Sequence, residues 1–311
     1  MPLLSVRHVT TYRYRQPVAF GEHRMMLRPR EGHDQRILEA RLGITPEPAE
    51  LRWLHDVFGN SVAVARFSGR ASELRFDSSV VLDHEPSGAD DLRLDAHAAV
   101  WPFSYGPEEG PDLGRSIERQ FADPEREVDR WARGFLRQGG PTGTLELLSE
   151  MTHAVRRGFA YIAREDGGTQ EPRRTLRLGS GTCRDFAVLM LEAARALGLA
   201  ARFVSGYLYS PGQDGSGHVG GGATHAWVRV YLPGAGWVEF DPTNGIVGNR
   251  DLIRVAVARH PSQAVPLSGS WTGFPADSLG MDVRVDVSSI EPRAAGTGED
   301  AQPPGRAPAL A

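Results

Sequence analysis

Residues 179–208 read GSGTCRDFAVLMLEAARALGLAARFVSGYL. A Gly-rich turn over Gly179, Gly181 and Thr182 leads into an apolar segment that predicts a helix from about Cys183 to Leu197. Gly198 ends it, because glycine enters the left-handed conformation at a helix C-terminus without a Cβ penalty. The following ARFVSGYLY reads as a strand. This order puts Cys183, the single cysteine of the chain, at a helix N-terminus. Unpaired backbone N–H groups there favour an anion, so the position suits a reactive thiolate. A buried, inert thiol is the commoner fate of a lone cysteine.

The next informative stretch is THAWVRVYLPGAGWVEFDPTNG, residues 224–245, which follows the loose GQDGSGHVGGG of residues 212–222. Two strands are expected around a turn at Pro233–Gly236, with His225, Trp227 and Arg229 on one face and Ala226, Val228 and Val230 on the other. Such a hairpin brings His225 and Asp241 to the same open end. Taken alone, Asp241-Pro242-Thr243-Asn244-Gly245 is no more than an Asx-turn at a strand end. With Cys183 it completes a nucleophile, a base and an orienting acid in the chain order Cys, His, Asp. The imidazole would take the thiol proton, and the carboxylate would fix its tautomer.

Residues 1 to about 85 are expected to be strands. SVRHVTTYRYR alternates, with Val6, Val9, Tyr12 and Tyr14 at β-branched or aromatic positions, and Gln16-Pro17 breaks it. Gly59-Asn60 suits a hairpin turn between LRWLHDVF and SVAVARFSG. Short strands at this spacing suggest an antiparallel sandwich rather than βαβ units. From about 86 the chain is rich in Pro, Gly and Asp, as a join would be. Asp123-Pro124 is expected to open a helix through about Arg137. Thr144 is expected to cap another, with Leu145, Leu148, Met151 and Val155 at helical spacing. DLIRVAVARH and MDVRVDVSSI read as further strands. The expected organisation is an N-terminal β-sandwich and join over 1–110, a core over 111–290, and a disordered tail over 291–311 too poor in apolar residues to pack.

The 311 residues are 40% apolar and 24% charged, an ordinary globular balance, and the formal net charge is −4. Nothing in that balance suggests a nucleic-acid partner or docking on an anionic membrane. MPLLSVRHVTTYRYRQ has no continuous apolar run of the kind a secretory signal needs, and no stretch approaches the roughly 20 apolar residues of a membrane span. One cysteine allows no internal disulfide, so a cytoplasmic setting is expected. No metal is expected: His218 and His225 straddle glycines without a second cysteine, and His8, His23 and His153 read as surface or core histidines. No cofactor is expected either, since the Gly-rich segments lack the phosphate-binding pattern.

Cys183 in Gly-Thr-Cys-Arg-Asp, His225 in Thr-His-Ala-Trp-Val and Asp241 in Phe-Asp-Pro-Thr resemble the core of the transglutaminase-like superfamily, whose fold is related to papain-type cysteine proteases. YRYRQPVAFGEHRMMLRPR is similar to the β-rich N-terminal region of the bacterial transglutaminase-like proteins. The resemblance implies an α+β fold, in which an N-terminal antiparallel β-sandwich precedes a nucleophile helix packed on an antiparallel sheet. It implies that Cys183, His225 and Asp241 are nucleophile, base and acid, acting on a peptide or protein substrate through a thioester. Hydrolysis is the expected outcome, with transfer to an amine and a non-enzymatic peptide-binding module as alternatives. Asp185 resembles a family position and reads as structural; Arg184 borders the cleft or faces solvent. The Cys183 N–H is one expected oxyanion donor. Where animal relatives use an upstream tryptophan, RRGFAYIAREDGG offers Tyr161, a candidate second donor or a packing residue. No carboxylate-rich loop suggests calcium.

Overall fold

The computed structural model describes residues 3–163, 168–210 and 222–290. The tail 291–311, His218 and loop residues 212–221 lie outside the described residues. Strands β1 (Leu3–Met25), β2 (Gln35–Thr45), β3 (Glu50–His55), β4 (Ser61–Arg66) and β5 (Arg70–His84) form an antiparallel sheet in the order β2-β5-β1-β4-β3. β1 changes partners along its length: Leu3–Arg13 pairs with β5 and His23–Met25 with β4. Its register with β5 shifts between Arg13 and Val18, at the Gln16-Pro17 breaker, where proline withdraws a ladder donor. The sheet curls so that Ala63 and Ala65 of β4 and Leu74 and Phe76 of β5 share one apolar cluster with Tyr14 and Phe20. The expected sandwich is thus one sheet closing over itself.

The chain then runs through β6 (Val100–Trp101), α1 (Glu109–Ile117), α2 (Glu127–Arg133), β7 (Thr142–Gly143) and α3 (Thr144–Gly158). β8 (Ala160–Tyr161), α4 (Pro172–Leu178), β9 (Ser180–Gly181) and α5 (Cys183–Ala196) follow. A second antiparallel sheet, in the order β13-β12-β11-β10-β14, is made by β10 (Ala201–Leu208), β11 (His225–Leu232), β12 (Gly236–Asp241), β13 (Ile246–Val247) and β14 (Leu252–Ala258). The last strands, β15 (Leu267–Thr272) and β16 (Ser278–Ile290), do not join it. Both pair with β1, so a core drawn from 111 to 290 takes in two strands that belong to the N-terminal sheet.

α5 is apolar on almost every side because it is enclosed. Phe186, Leu189 and Met190 share one buried cluster with Ala226, Val228 and Val230 of β11, Leu148 and Met151 of α3, and Val128 of α2. Each large side chain removed from water contributes about 1.5–3 kcal/mol. Two of its buried charges, Glu192 and Arg195, pair at 3.0 Å. Arg195 also donates to the carbonyls of Ser116, Ala201 and Arg259, and Glu192 accepts from the Gln120 N–H. The two sheets meet where Leu4, Val6, Val80 and Leu82 pack against Tyr207, Ile253 and Val255.

α2 begins later than Asp123-Pro124 suggests. Its N-cap is Arg126, in the left-handed region at φ 53°, and the Asp123 carboxylate caps from a distance, accepting from the N–H groups of Glu127 and Asp129. Among the described residues no helix is long and apolar enough to cross a membrane.

Candidate active site

The nucleophile candidate is held by its own helix start. The Asp185 carboxylate, fully buried, accepts from the Thr182 N–H at 2.8 Å and the Thr182 hydroxyl at 3.0 Å, the return half of a capping box. It also accepts from the Gln170 N–H at 2.6 Å and side-chain amide at 3.2 Å. Gly181 allows this clamp, because a Cβ there would stand 2.8 Å from the Asp185 Cβ. Asp185 is therefore structural, as its sequence position suggests. The clamp leaves Cys183, only 7% exposed, as the first residue of α5. Arg184 does not simply face solvent: it donates to the Pro261 carbonyl at 3.0 Å and lies over the Phe203 ring.

The hairpin forms as expected, with Val228 opposite Phe240 and Leu232 opposite Gly236. His225 and Asp241 come together at its open end, where the buried His225 Nε2 donates to Asp241 Oδ2 at 2.8 Å. Asp241 Oδ2 also accepts from the Asn244 side chain at 2.8 Å, and Oδ1 from the Thr243 N–H at 2.9 Å. Asn244 was visible in the sequence only as part of a turn. The turn is pinned from α3, where His153 reaches the Gly245 carbonyl at 3.1 Å.

With Nε2 committed to Asp241, the other ring nitrogen, Nδ1, is buried without a hydrogen-bond partner. Cys183 is close enough for thiol and ring to interact. Burial opposes a charged imidazole, but the Asp241 charge and hydrogen bond, reinforced by Cys183, push His225 up to about 10. Burial likewise opposes the Asp241 carboxylate, and His225, Asn244 and the Thr243 N–H hold it below the ordinary range.

The raised histidine has a consequence for stability. Its contribution is complete below the ordinary value of 6.5 and is lost as pH rises through about 10. The thermal midpoint of the wild type is expected to fall across that window more steeply than that of His225→Gln. Parallel profiles by scanning calorimetry would contradict the pairing.

Tyr161 lies on β8, which pairs in parallel with β9 immediately before the nucleophile. Its ring meets Phe186 edge-on at 6.5 Å and is 36% exposed. Burial, and then the charges of Cys183 and Asp185, raise its hydroxyl pKa. Among the described residues no group of three or more His, Cys, Asp or Glu side chains could hold a metal ion.

A nucleophile helix packed on an antiparallel sheet, with a thiol at the helix start and a histidine–aspartate pair at the sheet's open end, is the architecture of the transglutaminase-like and papain-related proteins. Residues 4–83 match the family model of the bacterial transglutaminase-like N-terminal region, and residues 130–242 that of the transglutaminase-like superfamily. Uncharacterized proteins of Mycobacterium tuberculosis and Mycobacterium bovis are 30% identical over 301 residues, spanning 92% of this chain and 92% of each relative. One from Mycobacterium leprae is 27% identical over 305 residues, spanning 92% and 99%. A Cytophaga hutchinsonii protein, provisionally described as a cysteine protease, has a similar fold, with a TM-score of 0.69 at 18% identity over 94% of this chain and 91% of that one. The chain belongs to the transglutaminase-like superfamily.

Proposed function

We propose that the protein is a thiol-dependent acyl-transfer enzyme that hydrolyses amide bonds of a peptide or protein. The observation that carries the reading is the His225 ring, bound to Asp241 through one nitrogen, with the other buried and Cys183 close enough to interact with the ring. An imidazolium cannot accept a proton, so a histidine raised to about 10 acts as half of a thiolate–imidazolium pair. The thiolate attacks the amide carbonyl carbon. The C–N bond breaks as the imidazolium gives its proton to the leaving amine, and a thioester forms on Cys183. Neutral His225 then takes a proton from water, whose oxygen attacks the thioester; the C–S bond breaks, releasing the acid and restoring the thiolate–imidazolium pair.

Stabilising the tetrahedral oxyanion needs donors aimed at it. The Cys183 N–H at the helix start and the Tyr161 hydroxyl are the proposed pair. Tyr161→Phe keeps the ring against Phe186 and is expected to lower kcat by roughly a hundredfold with little change in KM. An unchanged kcat would leave Tyr161 a packing role.

Water is the proposed acceptor and the cytoplasm the proposed setting, where reducing conditions keep the lone thiol available. The test supplies a glutamine peptide together with a primary-amine probe and follows both by mass spectrometry. Cleaved peptide or released ammonia without probe incorporation is expected. Incorporation makes the protein a transferase, and the absence of any acyl-Cys183 contradicts the enzyme reading.

A further inference from the structure

The face of the hairpin away from α5 carries a chain of contacts, polar from Asp34 to Trp227, that ends on His225. Trp227, fully buried, stacks on His225 with ring centroids 5.9 Å apart and planes 28° from parallel. Its indole N–H donates to Glu239 Oε2 at 3.1 Å. Glu239 Oε1 accepts from Arg254 Nη1 at 3.1 Å. Arg254 also grips Asp34 with both terminal nitrogens at 2.7 Å, and Asn249 adds a donor to Asp34 at 2.9 Å. Asp34 directly precedes β2 and so belongs to the N-terminal region, whereas the other five residues belong to the core.

The links from Asp34 to the indole N–H are directional hydrogen bonds. A bidentate Arg–carboxylate fork fixes angle as well as distance, and the Arg254 and Glu239 side chains are only 8% and 3% exposed. Apolar residues could fill this space without the desolvation that buried charges impose. They would not orient an indole N–H. The opposite edge of Trp227 is set by Gly206, where a Cβ would stand 2.6 Å from the ring. The indole plane is thus determined on both sides, and the imidazole lies on it.

We infer that Trp227 is a positioning residue for His225, and that the N-terminal region sets its orientation through Asp34, Arg254 and Glu239. The inference rests on the proposed role of His225 as partner of Cys183. It assigns the N-terminal region a part in the chemistry.

The test is the pH dependence of Cys183 alkylation by iodoacetamide in the full chain, for wild type, Asp34→Asn, Asp34→Glu and Trp227→Phe. Cys183 is the only thiol, so the signal has one source. Asp34→Asn and Trp227→Phe are expected to slow alkylation below neutral pH by roughly threefold to tenfold and to move the inflection upward. Asp34→Glu, which can keep the fork, is expected to restore most of the rate. Glu239→Gln repeats the test from the hairpin side if Asp34→Asn folds poorly. Variant profiles that superimpose on an activated wild-type profile, while the thermal midpoint alone falls, overturn the coupling and leave the chain as structural support. A wild-type Cys183 that titrates as an ordinary thiol removes the base itself, and the inference falls with it.

Discussion

Asp241→Asn is expected to lower kcat by about 10³–10⁴-fold while leaving KM nearly unchanged. The carboxylate is fully buried and accepts three hydrogen bonds, from His225 Nε2, the Asn244 amide and the Thr243 N–H. An asparagine of the same shape can keep the packing. If its NH₂ replaces the oxygen facing His225, it offers a donor where the ring needs an acceptor. The neutral ring then carries its proton on Nδ1 and cannot take the Cys183 proton to form the ion pair, and the imidazolium loses its counter-charge. Because peptide binding does not involve the Asp241 side chain in this account, KM reports the difference. Steady-state kinetics on the substrate found by peptide screening measure both constants. A kcat within tenfold of wild type would show that Asp241 is not the orienting acid.

Gly206→Ala is expected to cost on the order of 3 kcal/mol of stability. Gly206 sits on β10 opposite His225. A Cβ there would stand 2.1 Å from the Ile253 carbonyl oxygen and 2.6 Å from the Trp227 ring. The first neighbour is backbone of the adjacent strand β14 and cannot rotate aside, so the strands must separate or the indole must tilt. Denaturant unfolding followed by circular dichroism gives the loss directly. The Cys183 alkylation rate is expected to fall as well, since the ring supporting His225 moves. A loss under about 1 kcal/mol would mean that the β10–β14 pairing can open at little expense.

Much of the site was legible because its signals are local. Cys183 at a helix start, the β11–β12 hairpin and the alternation of Ala226, Val228 and Val230 are each set by neighbours within a few residues, and each stands where the sequence puts it. The overlooked parts depend on distant partners. β16 pairs with β1 from the far end of the chain, and nothing in MDVRVDVSSI names its neighbour. The inner face of β1 includes His8 and Thr10, buried and hydrogen-bonded to each other, with His8 also bonded to Tyr207, so polar residues mask the alternation. Asn244 reads as a turn residue because only the folded hairpin brings its amide to Asp241.

The most direct test of the central claim is the alkylation of Cys183 by iodoacetamide as a function of pH, in wild type and His225→Ala. The account predicts fast reaction well below pH 8 in the wild type, the range in which an ordinary thiol is mostly protonated, and a slowed or upward-shifted profile in His225→Ala. A Cys183 that titrates like a free thiol in the wild type, or is inert in both proteins, contradicts it.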